Sequence, residues 1–284
     1  MREMSEENKG LLDRLLNLPR ELIYGILLIA FIIPMVIPIP LPVPVSAETR
    51  NWYNFVQNLP NNSTIMYDSG YTAGGDPELG PMSVAVIAQI MKRPGLKLIS
   101  MATIQDGVLL WEKAIAQVNP EQYGKKYGQD YVMLGYITGV ETAQAAVGKN
   151  IRATTTTDYK GVPLDQLPAM KGVNGAKDFA LLICLSDAGT IAEGWIKQWV
   201  TPYNTPYLIS VIATILPTLL PYRKAGQTQA LIAGAQSGEM EYLVGRPGLG
   251  LKSANAMSTT QLYVVILIII ANVALFLRRK GVGK

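Results

Sequence analysis

The chain has 284 residues, 49% of them hydrophobic and 16% charged, with a formal net charge of +4. The charged fraction is below the ~25% of ordinary soluble domains, and the weak positive balance forms no basic stripe with interleaved aromatics, which argues against nucleic acid as a partner. There is no histidine and one cysteine, Cys184. An intramolecular disulfide and Ser-His-Asp or Cys-His catalysis within the chain are therefore excluded, and the commonest zinc ligand is missing.

The first segment, 1–20, reads as an amphipathic helix. Ser5, Glu6 and Glu7 form a helix start, and Leu11, Leu12, Leu15, Leu16 and Leu18 fall on one face. It is expected to lie on the cytoplasmic leaflet, with a contact to a partner helix as the second reading. The apolar run 22–37 follows Arg20 and Glu21, and 21–37 is expected to be a transmembrane helix, at the short end of what a bilayer needs. Pro38, Pro40, Pro42 and Pro44 then alternate with aliphatic residues. Proline at every second position cannot be helical, so 38–47 is expected to be an extended spacer, rising ~3.1 Å per residue over about 25 Å. Its apolar character suggests a cover of headgroups or a neighbouring protomer. Val45, Ser46 and Ala47 satisfy the small-residue rule for signal cleavage, but the apolar run is longer than a signal core, so an uncleaved anchor is expected.

Between 48 and 257, short apolar runs alternate with helical patterns. Strands are expected at 64–68, 96–100, 131–137, 178–185, 207–213 and 229–233. Helices are expected at 81–92, 106–118 (capped by Asp106), 141–147, 190–200, through Tyr222 and through Leu243. This alternation predicts an α/β fold: a mainly parallel, Rossmann-like sheet with helices on both faces, plus two transmembrane helices. The run 207–220 is too short and proline-rich for a third span. Cys184 sits in the most apolar strand and reads as a buried core residue. The stretch 153–177 has no clear period, and loops of that length are functional or cover a surface.

The second apolar run is 262–277, within an expected transmembrane helix at 258–277. Asn272 inside it would prefer a partner helix; an amide tolerated near the bilayer edge is the alternative. Arg278, Arg279 and Lys280 follow in the tail 278–284. By the positive-inside rule the C-terminus is cytoplasmic. Two spans then place both termini in the cytoplasm and the central domain in the periplasm or outside the cell, anchored in the cell (inner) membrane.

The segments Gly124-Lys-Lys-Tyr-Gly-Gln-Asp-Tyr-Val-Met-Leu-Gly-Tyr136, Ile151-Arg-Ala-Thr154 and Thr157-Asp-Tyr-Lys-Gly-Val-Pro-Leu-Asp-Gln-Leu-Pro-Ala-Met-Lys-Gly172 resemble an uncharacterised family of prokaryotic two-span membrane proteins. The resemblance covers most of the chain and implies architecture only; it transfers no activity and no functional residue.

Ligands of open parallel sheets sit beyond the carboxyl ends of the strands. That rule selects Asp68, Ser69, Gly70, Gly74, Gly75 and Glu78 after the first strand, Asp187 and Thr190 after the fourth, and Ser237 and Glu239 after the last. The glycine-rich loop could hold an anion on its amides, but it is neither a Walker loop nor a dinucleotide fingerprint, and a plain strand-helix turn is the rival reading. Asp187 reads first as a helix cap. Asp68, Asp76, Glu78, Asp187 and Glu239 could converge as hard oxygen ligands, although scattered caps fit better, and no metal or cofactor is expected. Arg152 and Lys160 could bind an anion or pair with an acid of a neighbouring subunit.

Three functional expectations follow, in order. The first is a non-catalytic, membrane-anchored subunit that packs its α/β domain against copies of itself or sibling membrane proteins, with Pro38, Pro40, Pro42, Pro44, Asn272 and Arg152 as assembly residues. The second is an extracytoplasmic solute-binding or sensing domain. The third is a histidine-free hydrolase or transferase.

Overall fold

The computed structural model describes residues 18–37 and 44–282, with the backbone alone for 278–282. Most of the expected N-terminal amphipathic helix lies outside the described residues, as do Pro38, Pro40 and Pro42 of the spacer; Pro44 is described and exposed. The chain divides into two compact units, 43–251 and a second one formed by 1–42 with 252–284.

The 43–251 unit is built on six parallel strands: β1 (Thr64–Gly70), β2 (Lys97–Ala102), β3 (Tyr131–Tyr136), β4 (Leu181–Ser186), β5 (Tyr207–Val211) and β6 (Ala230–Ala233), in the order β3-β2-β1-β4-β5-β6. Each lies at or within a few residues of its expected place. The chain works outwards from β1 in one direction, then restarts at β4 in the other, so the topological switch point lies between β1 and β4. Strand residues alternate between two buried cores. Ile65, Tyr67, Leu98, Met133, Ile183 and Ile232 face one, and Met66, Ile99, Val132, Cys184, Ile209 and Leu231 face the other. The period-2 projection of strand side chains requires this, and helices on both sides supply the cover.

Flanking the strands in chain order are α2 (Ala47–Gln57), α3 (Asp76–Lys92), α4 (Gly107–Val118), α5 (Glu141–Lys149), α6 (Gly189–Trp195), α7 (Leu216–Lys224) and α8 (Ser237–Val244). Helix α6 runs on through a π-helical turn, Ile196–Val200. Helix α2 has no counterpart among the expected elements. Ser46 caps it by accepting from the Thr49 amide at 3.2 Å, and Thr49, Trp52 and Val56 form its buried stripe. The long 153–177 stretch covers a surface: Leu164, Leu167, Ala169, Met170 and Val173 are buried in the second core, where a parallel crossover ordinarily places a helix.

Both sheet edges are closed. On β6, the Leu231 amide donates to Glu48 Oε2 at 3.2 Å and the Ala233 amide to Gln236 Oε1 at 3.0 Å. On β3, the carbonyls of Tyr131 and Met133 accept from the amides of Gly128 (2.9 Å) and Tyr159 (3.0 Å). An open edge is a template for strand addition, so this domain is built against that mode of association.

The other unit pairs α1 (Arg20–Val36) with the long helix α9 (Leu249–Val282). Thr259 Oγ1 donates to the Ala30 carbonyl at 2.8 Å and the Tyr263 hydroxyl to the Ile23 carbonyl at 3.0 Å, an antiparallel pairing. Of the two expected spans, only one is met: the Leu249–Leu277 stretch of α9 is the single helix among the described residues long and apolar enough to cross a bilayer. Helix α1 has 17 residues, which at ~1.5 Å per residue reaches about 25 Å, short of the ~30 Å hydrocarbon core.

Glu48 joins three parts of the 43–251 unit. Besides capping β6, it receives both arms of Arg223 from α7, at 2.9 and 3.0 Å. Both side chains are partly exposed, which moderates the value of the pair. Glu48→Ala is expected to cost about 1–2 kcal/mol in urea unfolding of the detergent-solubilised chain, and Glu48→Gln less.

Candidate functional site

Of the expected site residues, Gly74, Gly75 and Asp187 lie in loops that leave the carboxyl ends of the strands; Asp68, Ser69 and Gly70 end β1, and Glu78, Thr190, Ser237 and Glu239 lie in the first turns of α3, α6 and α8. At the switch point, residues 71–75 after β1 face residues 187–188 after β4. Asp187 Oδ2 accepts from the Thr72 amide at 2.9 Å and, by a short bond, from the Thr72 hydroxyl. Gly75, the N-cap residue of α3, lies directly against it: a Cβ at Gly75 would fall 2.9 Å from the Cβ and the Oδ2 of Asp187. The place where backbone amides could cradle an anion therefore holds the chain's own carboxylate.

Asp187 does not cap the helix that follows it. The N-cap residue of α6 is Ala188, without a side-chain cap, and Ser186 Oγ takes the Ala188 amide at 3.0 Å. Asp106 behaves alike. It occupies the N-cap position of α4 without bonding that helix, and its Oδ2 accepts from the Ala73 amide at 3.0 Å. Two acids at helix starts thus reach sideways to the same β1 loop. Gly107, next to Asp106, permits a close approach: a Cβ there would come within 2.0 Å of the Ser69 carbonyl oxygen.

The remaining acids also bond to other loops. Glu78 Oε2 accepts from the Ala213 amide after β5 at 3.0 Å. Asp76 pairs with Lys113 of α4. Glu239 accepts from the Ser46 amide at 2.8 Å and from Gln236 Nε2 at 3.3 Å. Glu241, which the sequence reading passed over, accepts from the amides of Gly248 (2.8 Å), Gly250 (3.1 Å) and Leu251 (2.7 Å). Burial pushes the Glu241 carboxyl above its ordinary pKa while those amides pull it back. Gly250 is packed against Ser237, at the first turn of α8. Both ends of the domain, at Ser46 and at Leu251, therefore leave from the corner where β6 enters α8.

Beneath the switch point, Asp68 is fully buried. Its carboxylate accepts from Trp195 Nε1 at 2.7 Å, from the Thr103 amide at 3.1 Å and from the Thr103 hydroxyl at 2.9 Å, with Cys184 Sγ 3.8 Å away. Cys184 is buried, as expected, and burial pushes its thiol pKa up.

The expected site residues thus fall into separate groups. Gly74, Gly75 and Asp187 gather with Thr72 at the switch point. Asp68 and Gly70 lie with Thr103 and Trp195 below it, with Ser69 buried between them in β1. Ser237 and Glu239 stand at the β6 corner, Glu78 is tied to the β5 loop, and Thr190 is exposed in the first turn of α6. The five acids considered as metal ligands do not converge: among the described residues, no group of three or more His, Cys, Asp or Glu side chains is arranged to hold a metal ion.

The expected assembly residues are placed as follows. Arg152 binds within its own domain, donating to Asp165 Oδ1 (2.8 Å), Asn174 Oδ1 (2.9 Å) and the carbonyls of Met170 (3.1 Å) and Val173. It ties down the 153–177 stretch. Lys160 lies over the Tyr127 ring, 4.0 Å from its centroid. Asn272 is exposed, and its amide nitrogen donates back to the Ile268 carbonyl at 2.8 Å.

No family model, curated protein or solved structure matches the chain.

Removing the switch-point carboxylate leaves the Thr72 amide and hydroxyl without their acceptor. Asp187→Ala is expected to lower unfolding stability by about 1–3 kcal/mol and Thr72→Val by about 1 kcal/mol. In a double-mutant cycle by urea unfolding the two should be clearly less than additive.

Proposed function

We propose that this chain is a non-catalytic, membrane-anchored subunit of a homo- or hetero-oligomeric membrane assembly, with its α/β domain making protein contacts outside the cytoplasm. The observation that carries the reading is the state of the switch point. In this fold a ligand would sit between the loops after β1 and β4, and there Asp187 and Asp106 bind backbone amides of the β1 loop itself. Carboxylates engaged in this way are poorly placed to serve as base, nucleophile or ligand, and a histidine-free chain has few substitutes for them. With both sheet edges closed, contacts to other subunits fall to the helical faces and to the membrane helices.

The anchoring belongs to the same proposal. Helix α9 crosses the bilayer, and α1 pairs with it as a shorter second crossing that draws on interfacial flanks or local thinning. The hydroxyls of Ser258 and Thr260 donate to carbonyls of their own helix, at 2.9 and 2.7 Å, which suits a segment near lipid, where unpaired polar groups are costly. The basic cluster Arg278, Arg279 and Lys280 supports a cytoplasmic C-terminus by the positive-inside rule, and with two crossings the domain would lie outside. Kinship with the two-span family rests on the sequence segments quoted above.

The alternative, a solute-binding or sensing domain, is favoured by the strand order itself, which creates a switch-point crevice; it requires Asp187 to swing away from Thr72. The proposed role predicts that the chain purified in a mild detergent has a mass, after subtraction of detergent, of a multiple of the protomer or of a larger complex. A monomer across the accessible concentration range, from native membranes as well as from overexpression, would overturn it.

A further inference from the structure

The turn between α2 and β1 reads Pro60-Asn-Asn-Ser-Thr64 and holds two overlapping acceptor patterns for N-glycosylation, Asn61-Asn62-Ser63 and Asn62-Ser63-Thr64. No other asparagine in the chain has serine or threonine two positions on. So short a pattern also arises by chance, and its place in the fold decides what it is worth. Asn61 and Asn62 are both exposed and lie outside any helix or strand. The bond that Asn61 accepts, from Arg93 at 3.5 Å, runs through its side-chain oxygen and leaves the nitrogen, the atom that carries a glycan. Arg93 also donates to the carbonyls of Gln57 and Leu59, the latter at 2.7 Å, and the Lys97 amide donates to the Ser63 carbonyl at 3.0 Å. The backbone of the turn is pinned while its two asparagines stay at the surface.

The turn also lies at the far end of the domain from its tethers. Ser46 and Leu251 are held at the carboxyl edge, where β6 enters α8. Helix α2 carries the chain from that corner to the opposite edge, where 58–63 leads into the amino end of β1. A bulky polar group there meets neither tether and none of the loops braced by acids. We propose that this turn carries one N-linked glycan, on Asn61 or Asn62. The proposal rests on the reading that the domain lies outside the cytoplasm.

The donor is an oligosaccharide linked through phosphate to a membrane lipid, used by a membrane transferase on the same side as the domain. The asparagine nitrogen attacks the anomeric carbon of the first sugar. A nitrogen–carbon bond forms and the carbon–oxygen bond to the lipid phosphate breaks. The phosphate leaves with the bonding electron pair, and the amide gives up one proton. Two adjacent acceptors leave room for one such chain. A glycan is bulky and solubilising, so it keeps the amino edge of the sheet in solvent and directs partner contacts to other faces.

Trypsin cuts after Arg50 and Lys92 and nowhere between, so one peptide, 51–92, holds both asparagines. In the chain isolated from the membranes of its own cells, mass spectrometry should find this peptide heavier by whole sugar residues, with fragmentation placing them on Asn61 or Asn62. Asn61→Gln and Asn62→Gly each leave one pattern intact and should stay modified; the double variant should lose the modification completely. Glycine is the substitution at 62 because that residue has φ 67°, a backbone that glycine keeps without strain. A membrane-impermeant amine reagent applied to spheroplasts reads the orientation separately, through the exposed Lys126, Lys171 and Lys177 of the domain. Lysines labelled from outside together with a bare 51–92 peptide would overturn the glycan and leave the outside domain standing. Lysines labelled only after lysis would overturn the outside domain and the glycan with it. A modification that survives the double variant would also overturn the proposal.

Discussion

The carboxyl edge of a parallel sheet gathers helix N-termini and loop amides that point outward with partial positive charge and no partner in the ladder. In ligand-binding proteins of this architecture, phosphates or other anions occupy such amides. Here carboxylates of the chain do so, and the arrangement of the domain follows from that choice. Asp187 and Asp106 bind the β1 loop, Glu78 the β5 loop, Glu239 the start of α2 and Glu241 the turn into α9. All but the Glu241 bonds, which span seven to ten residues, join segments distant in sequence, so the acids act as cross-braces along the edge.

Two of these braces fix where the domain connects to the rest of the chain. Ser46 on the way in and Gly248 to Leu251 on the way out are held by acids of the same helix, α8. The closed sheet edges complete the picture, since β6 is capped by Glu48 and Gln236, and β3 by the segments around Gly128 and Tyr159.

The strands were legible because each is a short apolar run bounded by glycine, proline or polar residues, and burial on both faces leaves little freedom in how such runs pack. Helix α2 was hidden because its exposed face, with Arg50, Asn51 and Asn54, is polar, and because the preceding small residues resemble a cleavage site. Ser46 as a cap and the spacing of Thr49, Trp52 and Val56 were the available signal. The site was legible only as a list of acids. Local rules assign Asp106 and Asp187 to the helices that follow them, and both bind across to a loop near residue 72, in the case of Asp187 at a separation of 115 residues. No periodicity or motif encodes a bond of that range. The bonds of Arg152 were equally hidden, since its acceptors lie 13 to 22 residues further along the chain. Helix α1 fell short of a clear span through length alone.

The claim that matters most is that the switch point is closed by Asp187 and needs no ligand. A thermal-shift titration of the detergent-solubilised chain with inorganic phosphate, nucleotides and sugars tests it most directly. The account predicts no saturable stabilisation of the natural chain by any of them. A saturable rise in melting temperature with one of these compounds, abolished by Thr72→Val, would place a ligand at the switch point and contradict the account.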